Sequence, residues 1–188
     1  MMHTFRTSRP VSAADIADPS KPHMILVGLP GSGKTTAGRL VAEQLKRPFL
    51  DFDAEIERRE HISIAEIFGS KGEPYFRALE LKLTEELRAV GNMVLSPGAG
   101  WVSNAGCLAV LRHPAMLVYL KTSPEIAFAR MGKDVVKRPL LQRPDPVGEL
   151  RRLRQAREAM YMQSDHTVST DSMTLAQVVD RIVALATG

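Results

Sequence analysis

The chain has 188 residues, enough for one domain with a full hydrophobic core and too few for two ordinary ones. Hydrophobic residues make up 44% and charged residues 24%, a balance that excludes an intrinsically disordered chain. Lys and Arg number 25 against 21 Asp and Glu, and the net charge of +4 favours anionic ligands without being large enough to indicate a nucleic-acid binder. One cysteine, Cys107, allows no internal disulfide, and no Cys/His cluster has zinc spacing. No apolar run approaches the roughly 20 residues that cross a bilayer, and the first residues lack an apolar core of signal-peptide type. The expectation is a cytoplasmic monomer that takes a small-molecule substrate and binds neither nucleic acid nor membrane.

Residues 1–22 hold Pro10, Pro19 and Pro22 with little apolar periodicity, and read as a flexible N-terminal arm before a single domain over 23–188. Met24-Ile25-Leu26-Val27 suits a buried parallel strand. A helix is predicted over 34–46, a second strand at 49–51, and a helix from about Asp53. Phe76, Leu79, Leu83, Leu87 and Val90 fall at spacings of three and four, which predicts an amphipathic helix over 74–90 with Pro74 in its first turn. Further strands are predicted at 93–95, 116–120 and around Val168, and a closing helix over 175–185. Strands alternating with helices imply a mostly parallel sheet covered on both faces, an α/β sandwich of three layers. The proline-bearing charged segment 132–148 reads as a lid.

Gly28-Leu29-Pro30-Gly31-Ser32-Gly33-Lys34-Thr35 fits G-x-x-x-x-G-K-[ST] between a predicted strand and a predicted helix, the context a phosphate-binding P-loop requires. Glycines let successive N–H groups turn toward phosphate oxygens, and the following helix adds its positive end. Gly31, Ser32, Gly33, Lys34, Thr35 and Thr36 are the candidate nucleotide contacts, with Lys34 bridging the β- and γ-phosphates of ATP and Thr35 offering its hydroxyl to Mg²⁺. The guanine-reading N-K-x-D of GTPases is absent, and the chain is short for a motor ATPase.

A small kinase also needs an acceptor pocket, a group to orient the acceptor hydroxyl, and positive charge over the transferring phosphoryl. Asp51 and Asp53 end the second strand. At a side-chain period of two they would point together into the ligand crevice, one for the water shell of the metal and one for the acceptor proton. Helix capping by Asp53 is the competing role. Arg77 lies in the first turn after Pro74, where a cation costs about 0.3–1 kcal/mol unless an anion is near, and an i to i+3 pair with Glu80 is the plain alternative. Arg157 shares a face with Leu150, Leu153 and Tyr161, and is either an anion clamp or a side chain snorkelling at the core edge. Gly98-Ala99-Gly100 after the third strand permits close ligand approach or makes an ordinary turn. Arg138 either swings over the ATP phosphates or stays solvated.

In their order and approximate separations, the P-loop, LDFDAEIERRE, SIAEIFGSKGEPYFRALE, SPGAG, KRPLLQ and REAMY resemble the shikimate kinase family, within the nucleoside-monophosphate-kinase-like P-loop NTPases. The resemblance spans Met24 to about Thr170 and implies a five-stranded parallel sheet and transfer of the ATP γ-phosphate to the 3-hydroxyl of shikimate. It implies Asp53 as the base that also binds ring hydroxyls, Asp51 as a water-mediated metal contact, Arg77 and Arg157 as the carboxylate clamp, Gly98, Ala99 and Gly100 as backbone contacts, Arg138 on the transferring phosphates, and Arg130 against the adenine. The alternatives are a kinase of another hydroxy acid such as gluconate, or a nucleotide-binding regulator without turnover. Three departures stand out. Ala99 replaces a glycine, so that a positive φ there would cost on the order of 1 kcal/mol or its methyl would reach the acceptor. Trp101, where smaller residues are typical, either narrows the pocket or packs in the core. The segment from Arg130 to Arg138 is about one residue longer than is typical.

Overall fold

The computed structural model describes residues 21–133 and 141–187. The N-terminal arm up to residue 20, and residues 134–140 of the expected lid with Arg138 among them, lie outside the described residues. Five strands, β1 (Met24–Val27), β2 (Phe49–Asp51), β3 (Val94–Ser96), β4 (Met116–Lys121) and β5 (His166–Ser169), form one sheet in the order β2-β3-β1-β4-β5. Every neighbouring pair is parallel, the arrangement expected from the alternation of strands and helices.

Alternation along β1 explains how the sheet is covered. Met24 and Leu26 project to one face, where they meet Ala37 and Val41 of α1 (Lys34–Leu45) and Val178, Val179 and Ile182 of α8 (Leu175–Thr187). Ile25 and Val27 project to the other. There they meet Phe52 and Ile56 of α2 (Phe52–Glu60), Ile67 of α3 (Ile64–Ser70), Phe76 and Leu83 of α4 (Gly72–Leu87), Cys107 of α5 (Ala105–Leu111) and Tyr161 of α7 (Pro146–Tyr161). With both faces buried, a strand must be apolar at every position rather than at alternate ones, as MILV is. A smaller cluster of Ala127 and Met131 in α6 (Pro124–Met131) with Leu141 and Leu150 joins α6 to α7.

Local signals set the helix ends. Asp51 caps α2 by accepting from the Ala54 amide at 3.1 Å. Ser63 and Glu66 make a reciprocal capping box on α3. Asp145 accepts from the Gly148 amide at 2.8 Å and Pro146 opens α7 with its φ already helical. Helix α4 begins at Gly72, one half-turn before Pro74, so Arg77 lies in its second turn rather than its first. His23 is buried between β3 and the end of α4. The Met93 amide donates to its Nδ1 at 3.2 Å, so its Nε2 carries the proton toward the Leu87 carbonyl at 3.0 Å, and burial lowers its pKa.

Trp101 is wholly buried and does not narrow a pocket: its indole Nε1 donates to Thr84 Oγ1 at 3.0 Å, and Thr84 donates onward to the Glu80 carbonyl at 2.7 Å. The residue that departs from the family pattern is therefore part of the core. Replacing Trp101 with Ala should lower unfolding free energy by about 3–5 kcal/mol, measured as a shift in urea midpoint at unchanged slope.

Candidate active site

The switch point of the sheet lies at β1, where the chain has placed β2 and β3 on one side and goes on to place β4 and β5 on the other. A crevice outside the carboxyl ends of the strands is expected there, and the P-loop fills its floor. Gly31 and Gly33 take φ of 79° and 92°, values that glycine adopts without steric cost. A Cβ on Gly31 would land on the Ala127 carbonyl and the Met131 side chain, so α6 presses directly on the loop. The Ser32 amide closes the turn onto the Leu29 carbonyl at 3.2 Å. The Ser32 hydroxyl is buried with no hydrogen bond among the described residues. Lys34 Nζ is buried and donates to the carbonyls of Gly28 (2.9 Å) and Leu29 (2.8 Å), which hold the ammonium against the loop. Thr35 and Thr36 are exposed on the first turn of α1.

The Thr35 hydroxyl donates to Asp51 Oδ2 at 2.5 Å and lies 3.4 Å from Ser96 Oγ. This contact joins the nucleotide half, at the ends of β1 and α1, to the ends of β2 and β3. The geometry also corrects the reading of the two aspartates. Asp51 ends the strand and is the helix cap, whereas Asp53 lies inside the first turn of α2, so a strand period does not bring them together. Asp53 faces the pocket from the helix instead: a methyl group on Gly98 would come within 3.2 Å of Asp53 Oδ1 and 3.1 Å of Glu80 Oε1.

Glu80 is the centre of this second half. It falls on the apolar stripe of α4 between Phe76 and Leu83 and is fully enclosed. Arg77 NH1 donates to its Oε2 at 2.5 Å, while Oε1 has no hydrogen-bond partner among the described residues. On its other side Arg77 donates from Nε and NH2 to Glu73 at 3.1 and 2.9 Å. The i to i+3 pair anticipated for Arg77 is therefore present, and a second carboxylate joins it. Gly100 borders the guanidinium so closely that any Cβ there would overlap NH1, NH2 and Cζ.

Ala99 does not have a positive φ, which removes the anticipated strain; its carbonyl accepts from the Tyr161 hydroxyl at 2.8 Å. Tyr161 in turn stacks on Tyr119, with ring centroids 4.9 Å apart. Arg157 is half-buried on α7 and its charge acts on both Tyr161 and Glu80, which places it on the same side as Arg77. Arg130, on α6 between Ala127 and Met131, donates to Thr170 Oγ1 (2.8 Å) and to the Thr170 carbonyl (2.7 Å). Among the sequence-predicted residues the fold thus brings together Lys34, Thr35 and Asp51, and separately Asp53, Arg77, Gly98, Gly100 and Arg157. Glu73, Glu80, Ser96 and Tyr161 join these two groups without having been singled out as candidates in the sequence. A carboxylate in the middle of an apolar stripe was the signal for Glu80.

Burial shifts the proton equilibria. Desolvation raises the Glu80 pKa to about 7 against the lowering pull of Arg77, while Glu80 and Glu73 together keep Arg77 more strongly protonated than usual despite its own burial. Burial pushes the Tyr161 phenol up to about 12 and the Cys107 thiol to about 11, which leaves the thiol unreactive.

A P-loop at the switch point of a five-stranded parallel sheet, with a cluster of charged side chains on its β2–β3 side, defines a nucleotide-binding protein of the nucleoside-monophosphate-kinase-like fold. Comparison with known proteins narrows the class: the model of the family described as shikimate kinase matches residues 30–187. The shikimate kinase of Symbiobacterium thermophilum is 39% identical over 163 residues, covering 86% of this chain and 94% of that protein. The structure of the Acinetobacter baumannii shikimate kinase in complex with shikimate superposes with a TM-score of 0.84 at 36% identity, covering 90% of this chain and 94% of that one. A gluconokinase from Sinorhizobium meliloti superposes with a TM-score of 0.53 at 20% identity, covering 87% of this chain and 90% of that one, a likeness of fold alone. The chain belongs to the shikimate kinase family.

The raised Glu80 pKa has a measurable consequence. A carboxyl that holds its proton to about pH 7 when folded, but only to about 4.5 when unfolded, destabilises the fold progressively as pH rises through that window. His23 works in the opposite direction below its ordinary pKa, so the wild type alone does not isolate the effect. The stability of Glu80→Gln relative to wild type should increase by on the order of 2–3 kcal/mol between about pH 5 and about pH 8, measured by urea unfolding; a constant difference would show that Glu80 is ionised throughout.

Proposed function

We propose that the protein transfers the γ-phosphoryl of ATP to the 3-hydroxyl of shikimate, giving shikimate 3-phosphate and ADP. One observation supports this most directly: the Thr35–Asp51–Ser96 contact lets a nucleotide on the P-loop and an acid at Arg77 share one crevice, with Asp53 on the acceptor side.

The P-loop amides and the ends of Lys34 and Thr35 bind the phosphate tail, and the buried Ser32 hydroxyl offers it one further donor. Arg77 and Arg157 hold the acceptor's carboxylate, and Gly98 and Gly100 allow the ring to approach the backbone. Asp53 orients the 3-hydroxyl and takes its proton as the hydroxyl oxygen bonds to the γ-phosphorus and the bond to the bridging oxygen of ADP breaks. Lys34 follows the charge that develops on the transferring group, as does Arg138, which lies outside the described residues. The donor set near Thr35 is all oxygen, one carboxylate with two hydroxyls, which fits Mg²⁺ better than a transition metal. Thr35 would hold the ion directly and Asp51 through water; when bound, the ion neutralises phosphate charge. Phosphoryl transfer depends chiefly on such positioning and charge, and no covalent intermediate with the protein is required.

The test is ADP release measured across a panel of acids that includes shikimate and gluconate. Shikimate-dependent release is expected. ATP binding without acceptor-dependent release would identify a regulator, and turnover of gluconate alone would identify another kinase of this fold. Arg77→Ala and Arg157→Ala should each raise the acceptor KM by roughly 10- to 150-fold, corresponding to about 1.5–3 kcal/mol for a charged hydrogen bond. Asp53→Asn should instead lower kcat by about 10²- to 10⁴-fold with ATP binding retained.

A further inference from the structure

Arg77 carries two carboxylates, and they are not equivalent. Glu80 is completely enclosed and holds NH1, whereas Glu73 lies one turn toward the start of α4 with its side chain 61% exposed. Glu73 Oε1 alone accepts from both Nε and NH2. Those two nitrogens form the side fork of the guanidinium, one of the two edges to which a carboxylate binds in bidentate fashion. The other surroundings of the group are committed. Gly100 closes it off at the terminal nitrogens, the Phe76 ring lies 5.3 Å from Cζ, and Glu80 occupies NH1. The side fork is thus the edge whose occupant is open to solvent and can leave. An ion pair whose carboxylate is this exposed is weak, because water screens it and the Glu73 side chain must be held in place.

We propose that Glu73 is a displaceable stand-in for the carboxylate of the acceptor: an incoming acid takes the side fork of Arg77 from Glu73, and the strength of the Glu73 contact sets acceptor affinity. The inference rests on the reading of Arg77 as an acceptor clamp. It makes Glu73 a specificity-determining residue, since an acid offers Arg77 an equal partner in exchange and a neutral polyol does not.

The test is a double-mutant cycle read in acceptor KM and kcat, with acceptor affinity measured separately by calorimetry, using whichever acid of the panel the wild type turns over. Glu73→Gln should lower the acceptor KM and the dissociation constant by roughly two- to fivefold, with kcat unchanged. In an Arg77→Ala background the same substitution should have no effect, because no fork remains to compete for. Glu85→Gln, the same loss of charge further along α4, should leave KM unchanged. Glu73→Asp keeps a negative charge in the first turn of α4 but falls short of Arg77; it should also lower KM, and serves if the Gln variant folds poorly. An unchanged or raised KM in Glu73→Gln overturns the proposal, a raised value meaning that Glu73 steadies Arg77 instead. A gain that persists without Arg77 also overturns it, because it would reflect the general field of the charge. If the wild type turns over an acid and Glu73→Gln gains nothing, this inference fails alone; if the wild type turns over none, the acceptor reading fails with it.

Discussion

The charged cluster at the Gly98–Gly100 segment is organised around one ion pair, Arg77 with Glu80, formed where water does not reach the carboxylate. A buried carboxylate is costly, and its cost is offset only by a well-placed cation. That requirement fixes the guanidinium on the inner side of α4 and makes every neighbour conform to it. A Cβ on Gly100 would overlap the guanidinium where it stands, and one on Gly98 would crowd both Glu80 and Asp53. The Thr84 hydroxyl satisfies the Glu80 backbone from behind while receiving the indole of Trp101. The Gly98–Gly100 segment therefore answers to the side chains packed against it, and its glycines are demanded by close approach and not by unusual dihedral angles.

The nucleotide half obeys a different constraint. Its glycines are needed for their backbone conformation, with Gly31 and Gly33 both at positive φ, and for the pressure of α6 on the loop. Thr35 joins the halves through Asp51 and Ser96. Because Asp51 simultaneously caps α2, the helix that carries Asp53 is anchored to the P-loop through a single carboxylate. A change at Asp51 would therefore disturb the Thr35 contact, the start of α2 and the position of Asp53 together.

Much of this was legible in the sequence, for stated reasons. The P-loop is a dense motif with obligatory flanks, and the strands of a sheet covered on both faces are continuous apolar runs, so β1 and β4 stand out. Arg157 could be singled out as a cation on an apolar face, whereas Arg77 was singled out on a first-turn placement that the start of α4 at Gly72 removes. What the sequence left open depended on tertiary placement. Asp51 and Asp53 were paired by a strand period that ends one residue too soon, since the cap at Asp51 turns the chain into a helix. The cost attached to Ala99 assumed a glycine-like backbone that the segment does not have. Trp101 was ambiguous because its partner, Thr84, lies 17 residues away on another helix. Helices α3, α5 and α6 are only seven or eight residues long, too short for periodicity to register, although the Ser63–Glu66 capping box was available as a signal.

The burial of Trp101 has an optical consequence. It is the single tryptophan of the chain, so the long-wavelength emission of the native protein originates almost entirely from one indole in a dry, fixed setting. That indole is connected through Thr84 to the backbone of Glu80, and its neighbour Gly100 touches the Arg77 guanidinium. A fluorophore is thus already built in two hydrogen bonds behind the Arg77–Glu80 ion pair, and a shift of the α4 backbone or of Arg77 would be readable as a change in emission without any label.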